Sequence, residues 1–149
     1  MIRFSDTTDF LELDLATQEQ GDLPSQGDAY LTVSVSSNGY TGQNDLWVDQ
    51  RAFRAFCSAL VALEKNRKGE AILESMSPDE LSLRVHSVDS CGHMAVSGIT
   101  GYDVQREHRL FRHSVQFGFE FDPSQLLEVL KEDWVKSNGG EQNTAELRR

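Results

Sequence analysis

The chain has 149 residues, the size of one ordinary domain, and its 14 Lys+Arg against 24 Asp+Glu leave a formal charge of -10. That balance argues against a groove built to neutralise nucleic-acid phosphates and against docking on an anionic membrane. The longest apolar run, Ala59 to Leu63, is far below the roughly 18–20 residues a membrane helix needs. The opening Met-Ile-Arg-Phe-Ser-Asp lacks the apolar stretch of a secretory signal, so Cys57 and Cys91 read as reduced thiols of a cytoplasmic protein.

Residues 1–28 carry seven acids against Arg3 alone, a net -6. Within them Leu11, Leu13 and Leu15 alternate with Glu12 and Asp14, the period of a strand with one wet face. Gln18 to Gly27, with Gly21 and Pro24, is a loop. Leu31, Val33 and Val35 alternate with Thr32 and Ser34, and Asn38-Gly39 turns the chain into a return strand over about 40–48, interrupted near Gly42 to Asp45.

The first helix starts at Asp49, a residue able to cap free amides. Its stripe is Phe53, Phe56, Cys57, Leu60, Val61 and Glu64, with Lys65, Arg67 and Lys68 at the carbonyl end and Gly69 as the stop. Cys57 within that stripe is a small core hydrophobe. Strands follow at Ala71 to Leu73 and, after the turn Ser77-Pro78-Asp79, at Leu81 to His86. The next alternation, Met94 and Val96, pairs Val85 with Met94 and Leu83 with Val96 around a two-residue turn at Asp89-Ser90. A four-residue loop there would shift the register by two and keep the same faces.

Thr100 to Phe111 mixes Asp103, Arg106, Glu107 and Arg109 with Tyr102 and His108 and reads as a long hairpin connection. Val115, Phe117, Phe119 and Phe121 then alternate with polar residues or glycine. Asp122-Pro123 opens a second helix with Leu126, Leu127, Leu130 and Trp134 as its buried side. The expected architecture is α+β: an antiparallel sheet with both helices packed on one face, forming a single domain over residues 1–136, with a disordered polar tail over 137–149.

Chemistry-bearing patterns are scarce. There is no G-x-S-x-G nucleophile elbow, and no glycine-rich loop enters a helix. His108 and His113 are five apart, not at the i, i+4 spacing of a helical metal pair. In the register above His86 and His93 become cross-strand neighbours with Cys91 on the same side, and two imidazoles with a thiol could hold zinc beside a water. The surface offers the alternative: aromatics flanked by acids, with Tyr40 and Trp47 bordering Asp45 and Tyr102 adjoining Asp103, are the usual anchors of a surface that steers and binds a protein partner.

The strand Asp28-Ala29-Tyr30-Leu31-Thr32-Val33-Ser34-Val35, the stripe Phe53-x-x-Phe56-Cys57-x-x-Leu60, the strands Glu80-Leu81-Ser82-Leu83-Arg84-Val85 and Gly92-His93-Met94-Ala95-Val96, and the closing Phe117-Gly118-Phe119-Glu120-Phe121 with its helix together resemble the WapI-type immunity proteins and a related uncharacterised bacterial family. The likeness spans roughly residues 28–134. It implies a cytoplasmic protein, not an enzyme and without cofactor, that neutralises a cognate toxin domain by contact. Toxins of that kind are often nucleases with basic grooves, a partner the acidic charge suits.

Overall fold

Alternating burial builds most of this protein. In the computed structural model, which describes residues 1–21 and 23–139, eight strands and three helices follow in the order β1 (Ile2–Asp6), β2 (Asp9–Gln18), β3 (Ala29–Ser37), β4 (Tyr40–Val48), α1 (Gln50–Asn66), β5 (Glu70–Glu74), β6 (Leu81–Ser87), β7 (Met94–Arg106), β8 (Arg109–Phe121), α2 (Gln125–Val129) and α3 (Asp133–Asn138). The class is α+β. The expected single sheet is instead two four-stranded antiparallel sheets, β1-β2-β3-β4 and β5-β6-β7-β8, and the expected second helix is two short ones. Every pair of neighbouring strands is antiparallel and consecutive in the chain, so each sheet closes within its own half of the chain.

Leu11, Leu13, Leu31, Val33 and Leu46 bury one face of the first sheet, and Leu73, Leu83, Val85, Val96 and Phe117 one face of the second. These faces join α1 in one continuous core. Phe4 of β1 meets Phe121 of β8 with ring centroids 4.8 Å apart. Gly42 on β4 leaves room for Val115 of β8, whose Cγ2 would lie 2.9 Å from a Cβ placed there. The sheets are also tied by polar contacts: Asn44 Nδ2 donates to the Gly101 carbonyl at 2.8 Å and to that of Glu80 at 3.1 Å.

Asp49 caps α1, its Oδ1 accepting from the Ala52 amide at 2.8 Å. The buried stripe is Phe53, Phe56, Cys57, Leu60 and Leu63, so Leu63 takes the place expected for Val61. The helix stops two residues before Gly69: Arg67 itself adopts the left-handed conformation (φ 58°) and its amide closes on the Leu63 carbonyl. Burial pushes the Cys57 thiol up to about 12, so it stays protonated at neutral pH.

Three further expectations are corrected. β4 runs unbroken from Tyr40 to Val48, each residue in register with β3. The segment expected as a long connection after Thr100 is strand: β7 and β8 pair from Met94↔Phe121 to Arg106↔Arg109 around Glu107 and His108. After β8, Asp122 caps a turn by accepting from the Ser124 amide at 2.9 Å, and the chain bends between α2 and α3. Val129 and Val135 are buried there, while Leu127 is exposed. Order also extends past residue 136. Asn138 is buried, accepting from Gln18 Nε2 at 2.9 Å and donating to the Trp134 carbonyl at 2.7 Å; residues 140–149 of the expected tail lie outside the described residues.

Candidate functional site

The hypothetical zinc ligands do not assemble. β6 and β7 pair Val85 with Val96 and His86 with Ala95, two residues off the expected register. The cause is the turn. Asp89 Oδ1 accepts from the amides of Cys91 at 2.8 Å and His93 at 3.2 Å, Gly92 takes φ 91°, and the Val88 amide closes on the His93 carbonyl at 3.0 Å. That network needs the four residues 89–92, where the short hairpin would have used two. His93 is thereby held by Asp89 rather than opposite His86, and Cys91 is exposed in the loop. Among the described residues no group of three or more His, Cys, Asp or Glu side chains could hold a metal ion.

His93 Nδ1 and Asp89 Oδ2 lie 2.6 Å apart. This hydrogen bond raises the imidazole above its ordinary 6.5 and lowers the carboxyl below its ordinary 3.8, helped by the two backbone amides. The raised His93 contributes stability that is full below pH 6.5 and is lost as pH rises through its folded-state value. The lowered Asp89 contributes above pH 3.8 and loses that as pH falls through its own folded-state value. Between those limits the pair is ion-paired. A proton-NMR titration should place His93 above 6.5, and Asp89→Asn should return it toward 6.5; an unchanged midpoint in D89N would show that the carboxylate is not its cause.

The aromatic-acidic candidates divide. Trp47 and Asp45 project from the same side of β4, but Trp47 is half-buried, its ring 4.9 Å from that of its cross-strand partner Tyr30. Tyr40, highly exposed, lies at the other end of the strand and on the opposite face. At about 3.4 Å per residue, roughly 24 Å of strand separate Tyr40 from Trp47, so β4 does not gather these aromatics into one patch. It does place Asp45 in the lining of one concavity with Tyr102. Two open concavities, about 360 and 470 Å³, meet at the Tyr102 ring. One is lined by Gln43, Asn44, Asp45 and strand β3, the other by Gln43, Arg112 and His113. Asp103, the next residue along β7, alternates to the other face and pairs with Arg112 at 3.6 Å.

The composition pointed away from the feature that frames this saddle. Beyond Thr100, where β6 ends its pairing with β7, β7 and β8 continue as a two-stranded arm. Tyr102, Val104, Phe111 and His113 share one of its faces, and residues 109–114 are all exposed. Arg112 crosses the other face over Gly101, where a Cβ would meet its guanidinium at 2.9 Å, to reach the Asp79 carbonyl. The arm also inverts the local charge: residues 102–113 hold Arg106, Arg109 and Arg112 against Asp103 and Glu107, a net +1 in a chain of -10. Tyr102 and Val104 two apart, answered by Phe111 and His113, are the strand signal that the intervening charges mask.

Comparison with family models, with curated proteins and with solved structures finds no match.

Proposed function

We propose that this chain is a non-catalytic binding protein that acts on a protein partner by direct contact, in the manner of the immunity proteins its sequence resembles. The contact face in this reading is the Tyr102 saddle together with the β7–β8 arm. One observation carries it: one face of the arm holds Tyr102 at 45% and Phe111 at 49% exposure, with Leu110 at 64% on the opposite face of the same ordered ribbon. Exposed apolar side chains with a polar rim are the usual anchors of a protein interface. The acidic remainder of the surface suits a toxin domain with a basic substrate groove, such as a nuclease, by steering encounter. The three helices, in contact through α1 with α2 and α3, form in this reading one layer on one side of the sheets and leave the arm clear. The site of action is the cytoplasm, where both cysteines stay reduced.

Co-expression with the product of the neighbouring gene, which this reading expects to carry a toxin domain, tests the proposal. The wild-type chain should restore growth and co-purify with the toxin. The double variant Leu110→Ser/Phe111→Ser, on an exposed ribbon, should keep its fold by circular dichroism yet bind about 10–100-fold more weakly, the loss of one or two anchors. Full protection by the folded double variant would place the contact elsewhere, and a wild-type chain that neither binds nor protects would end the immunity reading.

A further inference from the structure

Edge strands present unpaired backbone groups, and folded proteins cover them. Here β1 is covered by a side chain that imitates a strand: Gln125 accepts from the Ser5 amide and donates to the Ser5 carbonyl, both at 2.8 Å. β8 is covered at Gly118 in the same way, where Ser37 Oγ accepts from the amide at 3.2 Å and donates to the carbonyl at 3.4 Å. Those two bonds fix which backbone groups of β8 face away from β7. Because orientation alternates along a strand, the amides and carbonyls of Ser114, Arg112 and Leu110 point outward as Gly118's do, while those of residues 109, 111 and 113 pair with β7. Among the described residues, no partner covers the outward groups of Leu110, Arg112 and Ser114.

The charge at this open edge is specific. Arg106 and Arg109 are direct cross-strand partners on the last rung, an arrangement that repels, with His108 between them and Arg112 beside the edge. The matching rung of the other outlying hairpin, Asp6 against Asp9, is like-charged too, but there Asp9 Oδ1 accepts from the Asn38 amide at 2.9 Å. Among the described residues Arg106 and Arg109 have no anionic partner.

We infer that the outer edge of β8 at Leu110, Arg112 and Ser114 receives an extended, acidic polypeptide segment of a partner protein as an added strand, with Arg106 and Arg109 pairing its carboxylates. Alternating donors and acceptors at strand spacing fit a peptide backbone. The phosphates of a nucleic-acid backbone accept but do not donate, and they are repelled by the net charge of -10. A second copy pairing through β8 would oppose one row of arginines to another. The inference rests on action by contact, but it does not require the partner to be a toxin.

The probe is an acetylated, amidated peptide of alternating Glu and Val, about six residues long, titrated into the full-length protein and followed by amide hydrogen exchange. Exchange at Leu110, Arg112 and Ser114 should slow by about threefold or more at saturation, with residues 109, 111 and 113 little changed because they are already bonded. The Lys-Val counterpart should leave all six unchanged. Arg106→Glu/Arg109→Glu should weaken binding by about tenfold. Ser114→Pro, which removes an outward amide but no rung of the β7–β8 ladder, should weaken it with charge unaltered. Slowing on both rows alike, equal binding of the Lys-Val peptide, or full affinity in folded S114P would overturn the inference. So would an oligothymidylate that binds as tightly as the acidic peptide, or protection that grows with protein concentration without peptide. A failed peptide titration alongside successful toxin protection would sink the strand-addition mode and leave the immunity reading standing; the converse would sink only the latter.

Discussion

Replacing Phe4 with alanine is expected to lower the unfolding free energy by about 3–5 kcal/mol, the cost of emptying a fully packed aromatic site. Phe4 is completely buried, opposite Leu11 on the first sheet and against Phe121 of the second. Its loss therefore opens a cavity at the place where the two sheets meet. The measurement is urea unfolding followed at once by tryptophan fluorescence and far-ultraviolet circular dichroism. Trp47 reports on the first sheet and Trp134, stacked on Phe53 at 5.5 Å, on the helical side. Because the apolar faces form one core, both probes should shift to a lower midpoint together. A loss under about 1 kcal/mol, or two separated transitions, would mean that the sheets are held independently and that the Phe4–Phe121 contact is incidental.

The elements legible in the sequence are those where period and punctuation agree. β3 alternates cleanly and turns into β4 at Asn38-Gly39, whose φ values of 51° and 87° are what a two-residue hairpin loop demands. Asp49 followed by a stripe at three- and four-residue steps could hardly be anything but a capped helix. The two tight turns that escaped notice, those of β1–β2 and β7–β8, are just as short, but the positive φ falls on Thr7 (43°) and Glu107 (52°), residue types that do not advertise a turn. At the helix end the left-handed residue is Arg67 although glycine stands two positions later, so the composition named a stop that the backbone had already made. The candidate site was half visible for the same reason. Tyr102, Asp103 and Asp45 could be picked out as aromatic and acidic surface groups, whereas Arg112, Phe111 and Leu110 gain their meaning only once residues 102–113 are known to be an arm. The histidine pair failed on a single turn: an Asp89 side chain that gathers two amides lengthens the loop, and every partner across β6 and β7 moves by two.

The root of that arm depends on a glycine that tolerates no addition. Gly98, in the middle of β7, lies opposite Leu83 on one side and Phe117 on the other. A Cβ there would stand 2.1 Å from the Ser82 carbonyl oxygen, 3.1 Å from Leu83 Cα and 2.9 Å from Phe117 Cζ. Two of those three obstacles are backbone, which cannot rotate aside, so Gly98→Ala must push β6 from β7 and is expected to cost about 3 kcal/mol, the upper part of the usual range for overpacking. Gly118, which faces Ser97 across the neighbouring rung, is the control: its added methyl would find nothing nearer than 3.8 Å, and Gly118→Ala should change stability by no more than about 0.5 kcal/mol. The displacement also reaches the saddle. Thr100 Oγ1 donates to the Glu80 carbonyl at 2.7 Å and accepts from Asn44 at 3.3 Å, so moving β6 against β7 disturbs the bridge beside the concavity that Asp45 and Tyr102 line. Urea midpoints of the two alanine variants, measured side by side, decide the matter. Equal stabilities would mean that the sheet relaxes around Gly98 at no cost, and that the geometry of the arm is far softer than its close-packed root implies.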